Sequence, residues 1–153
     1  AGGWLEVLVA DCLERALPDR QVARNVQIVW GAGNPYKRPC TETDVLFMVG
    51  NRLYVLSCKN DRSDDNLKEE VERLRARTAE FGERWVRPIL LSTEPLRRSL
   101  VERCEAYEIG CIAGPGLLDL LDDDLGGSRP HALMEAVLKA APGGPEPGVV
   151  LAE

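Results

Sequence analysis

Two charged residues bracket the most apolar stretch of this chain: Asp44 precedes Val45-Leu46-Phe47-Met48-Val49, and Lys59 follows Leu53-Tyr54-Val55-Leu56-Ser57-Cys58. Gly50-Asn51 between the two runs suits the positive φ angles of a two-residue hairpin turn, so the runs are predicted to be paired strands. With that turn, Asp44 lies opposite Ser57 and Glu42 opposite Lys59. Side chains alternate faces along a strand, so all four project to one side, with opposed pairs roughly 5 Å apart at Cβ. Two carboxylates, a hydroxyl and an ammonium therefore converge at one end of a buried hairpin. They supply oxygen ligands beside a cationic hydrogen-bond donor.

The elements that must hold this cluster follow from periodicity. Trp4, Leu5, Leu8, Val9, Cys12, Leu13, Ala16 and Leu17 recur at three- and four-residue spacing and predict an amphipathic helix that ends before Pro18, with Glu6 near its first turn. Val22 to Trp30 alternates as a first strand, and Gly31 to Pro35 forms a turn-rich loop extended by Lys37-Arg38-Pro39. The hairpin strands are apolar on both faces, which predicts a central position covered by helices. Leu67, Val71, Leu74, Thr78 and Phe81 mark one face of a long helix; Lys68, Glu69, Glu72, Arg73 and Arg75 are expected on its solvated side. Pro88 to Ser92 reads as a buried strand, Leu96 to Tyr107 as a helix and Ile109 to Ile112 as a last short strand. Short helices at Leu117 to Leu121 and His131 to Lys139 follow. Alternating strands and helices define an α/β fold with partly parallel pairing.

The 153 residues, 44% of them hydrophobic, suit one globular domain over 1–141 with a Pro/Gly-rich flexible tail over 142–153. The start at Ala1-Gly2-Gly3, without Met, leads us to expect a piece of a longer protein. A net charge of −6 argues against a general nucleic-acid coating protein, yet an enzyme that gathers carboxylates around a metal is itself locally acidic. The odd count of five cysteines, with no CxxC pair, fits neither a zinc ribbon nor a disulfide framework and suits a reducing cytoplasm. No apolar run approaches the roughly 20 residues needed to span a bilayer, and no signal peptide is recognisable.

Gly2-Gly3-Trp4-Leu5-Glu6, Glu42-Thr43-Asp44-Val45-Leu46-Phe47 and Leu56-Ser57-Cys58-Lys59 stand in the order helix, second strand, third strand. In this order and spacing they resemble the PD-(D/E)XK, or restriction-endonuclease-like, nucleases. They are most similar to the C-terminal nuclease domain of CARF-domain proteins, the cyclic-oligoadenylate-activated ancillary nucleases of type III CRISPR systems. The resemblance implies a central mixed sheet of about five strands in an αβββαβ core with C-terminal helices, and a homodimer whose missing N-terminal sensor domain binds cyclic oligoadenylate. It also implies cleavage or nicking of DNA, or of RNA, with Mg²⁺ or Mn²⁺.

Phosphodiester hydrolysis uses an oxygen-bound divalent cation to stabilise charge on the phosphorane and to lower the pKa of the attacking water. By resemblance Asp44 is the first ligand, the Cys58 backbone carbonyl the second, and Glu6 or Glu42 completes the set. Lys59 stands beside the water. The family pattern has Asp or Glu where this chain has Ser57, a weaker neutral ligand. Glu42 either supplies a migrated carboxylate or only pairs with Lys59. In the second case the domain keeps the fold for nucleic-acid positioning or oligomerisation without cleavage. Lys37, Arg38, Arg62, Lys68 and Arg73 are candidate phosphate contacts, although solubility accounts for surface arginines as well. Simpler roles compete elsewhere: Asp44 and Lys59 as a structural ion pair, Glu6 as a partner of the helix dipole, Asp122-Asp123-Asp124 as a solvated helix end, and Cys104 and Cys111 as small core residues. His131, the only histidine, is expected in a peripheral helix away from any chemistry.

Overall fold

A computed structural model describes residues 3–17, 21–29, 40–60 and 63–143. Ten elements follow in the order α1 (Gly3–Ala16), β1 (Val22–Val29), β2 (Cys40–Val49), β3 (Arg52–Lys59), α2 (Asp64–Phe81), β4 (Val86–Ser92), α3 (Arg98–Ala106), β5 (Gly110–Ala113), α4 (Pro115–Leu125) and α5 (Ala132–Ala140). The five strands form one sheet in sequential order. β1, β2 and β3 pair antiparallel, whereas β3, β4 and β5 pair parallel through the crossover helices α2 and α3. This is the mixed, helix-flanked sheet expected of a restriction-endonuclease-like domain.

Each face of the sheet has its own core. Leu5, Val9, Cys12 and Leu13 of α1 pack with Val45, Phe47, Tyr54, Leu56, Leu117, Leu133 and Val137 on one side. Leu67, Val71 and Leu74 of α2 pack with Val55, Leu90, Leu100 and Cys104 on the other. Full burial of each such Leu, Val or Phe contributes about 1.5–3 kcal/mol, so both layers clamp β3 and β4 firmly. The second layer is less complete over the hairpin. Met48 is 48% exposed and Leu46 and Leu53 are partly buried, so the outer end of the hairpin lacks the two-sided cover that its apolar pattern predicts. The reason is the placement of α2, which packs on β3 and β4.

Local signals account for the element ends. Gly50 takes φ 57° at the first central position of the hairpin turn, while Asn51 does not share the positive φ expected for it; this is the II′ pattern. Ser63 caps α2 by accepting the Asn66 N–H, and Asp64 and Asp65 complement its positive end. Gly82 ends the helix at φ 96°. Gly110 is required by packing: a Cβ there would stand 2.6 Å from the Ala140 carbonyl oxygen, so α5 closes directly on β5. The segments 30–39 and 144–153, and with them the expected loop and most of the expected tail, lie outside the described residues. None of the described helices is long and apolar enough to cross a membrane.

Candidate active site

The hairpin register holds from Val49↔Arg52 to Val45↔Leu56, the pairing that the Gly50-Asn51 turn dictates. Beyond it lies Asp44, where both neighbouring ladders lapse. On the β1 side, Arg24↔Val45 and Val26↔Thr43 flank a skipped pair, and Asn25, opposite Asp44, turns to φ 52°. Asn tolerates this left-handed geometry better than most residues. On the β3 side, Asp44 Oδ2 accepts the Cys58 backbone N–H at 2.8 Å. A side-chain oxygen has replaced a ladder carbonyl, and the strands part where the charged residues begin.

A second oxygen faces the same side. The Lys59 carbonyl accepts the Thr93 N–H just beyond β4. Successive strand residues direct their backbone groups to opposite neighbours, so the Cys58 N–H and C=O both face the β2 side, where Asp44 stands. The Cys58 side chain is buried in the α1 layer, and burial pushes its thiol well above the usual range, further assisted by Asp44 and Glu6. The thiol therefore stays protonated, and the main-chain oxygen is what this residue offers.

Glu42, Asp44, Ser57 and Lys59 share the strand parity of Leu46 and Val55, which face the α2 layer. Glu6 arrives from the opposite layer on α1, nearly buried at 7% exposure, so the five residues do not share one face of the sheet. They meet instead at the edge formed by the start of β2 and the end of β3. Their charges act on one another there. The Glu6 carboxyl is held above its ordinary range by burial, then by Asp44 and Glu42, with Lys59 opposing. Asp44 is likewise raised, first by burial and also by Glu70, against the Cys58 N–H, Lys59 and Arg77. Carboxylates that repel one another in a partly desolvated pocket favour a bound cation.

The sequence reading missed Glu70. This residue of α2 is 2% exposed, its Oε1 accepts the Ser57 hydroxyl at 2.7 Å, and its Oε2 lies 3.5 Å from Lys59 Nζ. Arg77 Nη1 stands 3.2 Å from Oε1 and Arg73 Nη1 3.5 Å from Oε2. Of the two roles open to Glu42, a migrated carboxylate or a partner of Lys59, the second is taken by Glu70, while Glu42 is exposed. A signal was present: position 70 falls between Leu67 and Leu74 on the stripe that faces the sheet, where a charge is anomalous. Arg73, a candidate phosphate contact, is engaged with Glu69 and Glu70 of its own helix. Lys68 is exposed, and Lys37, Arg38 and Arg62 lie outside the described residues. The helix α2 is also less idle toward solvent than its pattern implied, since Glu72 accepts the Tyr107 hydroxyl and Arg75 lies over the Tyr107 ring.

Asp124 is not a solvated helix end: it is 4% exposed, accepts the Leu133 N–H at 3.1 Å and lies 3.6 Å from Arg15. His131 forms the left-handed residue before α5, far in sequence from the cluster. Cys104 is buried and Cys111 half-buried.

The donors at the splayed edge are all hard oxygens, as Mg²⁺ or Mn²⁺ requires, and Asp44, the Cys58 carbonyl and Glu6 are the residues that would hold such an ion. Among the described residues no three acid, histidine or cysteine side chains already form a closed cage. Glu70, whose charge also acts on Asp44, is turned toward Lys59 and Arg77.

Comparison with known proteins bears on this arrangement. Protein VC1899 from Vibrio cholerae is 27% identical over 86% of this chain, with a TM-score of 0.63. Can2 from Sulfobacillus thermosulfidooxidans, solved in complex with cyclic tetra-adenylate, is 21% identical over 89% of the chain, with a TM-score of 0.65. The chain spans 34% and 36% of those two proteins. The small subunit of the heterodimeric restriction endonuclease R.BspD6I, 12% identical, shares the fold over 90% of this chain and 78% of its own, with a TM-score of 0.54. No curated protein sequence matches significantly. Residues 1–131 match the model of the Card1-like endonuclease domain, and the chain belongs to that family.

Proposed function

We propose that this domain hydrolyses phosphodiester bonds of DNA, by nicking or cutting, with Mg²⁺ or Mn²⁺ bound at the splayed end of the hairpin. The observation that carries the reading is Asp44, a partly buried carboxylate of raised proton affinity set between two interrupted ladders, bonded to the Cys58 N–H and within the field of Lys59. When bound, the cation supplies charge stabilisation and a more acidic water. The chain's own residues do the rest. Asp44 and Glu6 concentrate negative charge where the ion binds. Lys59, 31% exposed at its side chain, reaches solvent from a rigid strand end and can orient a water or stabilise the phosphorane oxygens. The backbone bond from Cys58 holds Asp44 in place, which preorganises the site.

We further propose that activity responds to cyclic oligoadenylate bound elsewhere in the full protein and that the protein acts as a homodimer, in antiviral defence of the type III CRISPR kind. The support is the family, together with the complex of Can2 with cyclic tetra-adenylate. The test is incubation of the intact protein with supercoiled plasmid, single-stranded DNA and RNA, with Mn²⁺ or Mg²⁺, with and without cyclic tetra-adenylate. Metal-dependent nicking that disappears in Asp44→Ala and Lys59→Ala is the expected result; equal cutting by those variants would sink the assignment. Ser57 favours a second reading, a catalytically degenerate domain that positions nucleic acid. DNA binding that survives Asp44→Ala, with no cleavage and no Mn²⁺ binding by the parent, is the outcome that reading requires.

A further inference from the structure

The residue that most weakens the family pattern, Ser57, also indicates how the chain has compensated. Its hydroxyl donates to Glu70 Oε1 at 2.7 Å. A carboxylate oxygen so bonded lies about 3.5 Å from the Ser57 Cβ, about as far as a Glu side chain at position 57 would carry its own oxygens. Glu70 is delivered there by α2, at a stripe position where an apolar residue would suit the helix better. Among the described residues its polar contacts are side chains, and two of them, Ser57 and Lys59, belong to the strand that carries the motif. Its charge also acts at Asp44.

Resting on the nuclease reading, we propose that Glu70 supplies from α2 the carboxylate that position 57 lacks, serving beside Glu6 as a further acidic donor to the divalent cation at Asp44, with Ser57 as its hydrogen-bonded holder. The Lys59 contact is the one exchanged when Glu70 turns to the cation, and Arg77 keeps the carboxylate anchored from behind. A purely structural Glu70, neutralising Lys59, Arg73 and Arg77, is the competing account.

Calorimetric titration of Mn²⁺ into the intact protein separates the two, with plasmid cleavage measured in parallel. Glu70→Gln is expected to weaken Mn²⁺ binding at least ~10-fold and to raise the Mn²⁺ concentration for half-maximal cleavage to match. Relocating the acid in Ser57→Glu/Glu70→Gln is expected to restore Mn²⁺ affinity to within a few-fold of the parent. This double variant also carries the test should Glu70→Gln fail to fold. Parent-like Mn²⁺ affinity in Glu70→Gln, or a folded double variant that regains none, overturns the proposal. Ser57→Glu alone adds a fourth carboxylate to Asp44, Glu6 and Glu70 and is expected to bring no gain; a tenfold gain in both affinity and cleavage would mean that the position-57 donor was missing, and would overturn it too. Failure of the nuclease reading looks different: Asp44→Asn would then bind Mn²⁺ and cut like the parent.

Discussion

Two nearly buried carboxylates, Glu70 on α2 and Asp124 on α4, lie on opposite sides of the sheet and are satisfied in opposite ways. Asp124 accepts a backbone N–H, that of Leu133 in the first turn of α5, and faces Arg15 of α1. It ties three helices of one layer together. Glu70 has four side-chain partners, Ser57, Lys59, Arg73 and Arg77, in the other layer. A backbone partner cannot be exchanged without unfolding a helix end, whereas ionic side-chain partners can be traded for a ligand. Buried acids of equal exposure are therefore not equal in use: the first kind holds a fold, and the second is available to chemistry.

The comparison can be broken in decreasing order of effect. Asp44→Ala and Lys59→Ala should each lower plasmid cleavage by about 10²–10⁴-fold, the usual reach of a positioned acid, base or oxyanion group, while far-ultraviolet circular dichroism stays that of the parent. Asp124→Ala should do the reverse. Leaving the buried Leu133 N–H without its partner costs about 1–3 kcal/mol, visible in urea denaturation, with cleavage per folded molecule unchanged. A loss of cleavage in folded Asp124→Ala would erase the distinction between the two acids. Ser57→Ala removes only one hydrogen bond to Glu70, so a loss of about 1–2 kcal/mol in stability is expected, with cleavage falling less than in Glu70→Gln.

The smallest effect is a pH dependence. Asp44 and Glu6 are raised above the ordinary 3.8 and 4.5 of free Asp and Glu side chains, so across the window from those values up to the folded ones the folded protein holds more protons than the unfolded chain. Their contribution to stability is full below the unfolded values and is lost as pH rises through the folded ones. Thermal melts in EDTA should show the Asp44→Asn variant gaining on the parent as pH climbs through this window. Saturating Mn²⁺ should reverse the order by stabilising only the parent. Parallel pH profiles would mean that neither burial nor Glu70 penalises the Asp44 charge.

Much of this site is legible in the sequence because it rests on period-two alternation and one turn. Gly50-Asn51 fixes the pairing of Val45 with Leu56, and parity then brings Asp44, Ser57 and Lys59 to one side. The splaying at Asp44 is not legible, since it arises from competition between a carboxylate and a ladder carbonyl for the Cys58 N–H. Glu70 is hidden for a different reason. In an 18-residue helix dense with charge, only its phase relative to Leu67 and Leu74 distinguishes it, and that phase becomes meaningful only once α2 is docked on β3. Asp124 is masked by its neighbours Asp122 and Asp123, because three adjacent acids read as solvated although helix geometry turns just one inward. The exposed Met48 is missed because strand pattern alone does not say how far a covering helix extends.

The central claim, a divalent cation held by Asp44 at the splayed end of the hairpin, is tested most directly by anomalous diffraction from crystals of the protein soaked in Mn²⁺. The account predicts one strong peak in contact with the Asp44 carboxylate and the Cys58 carbonyl oxygen, with a Glu70 oxygen moved from Lys59 into the same shell. Mn²⁺ bound without Asp44, or no Mn²⁺ at this edge in protein that cleaves DNA with Mn²⁺ in solution, would contradict it.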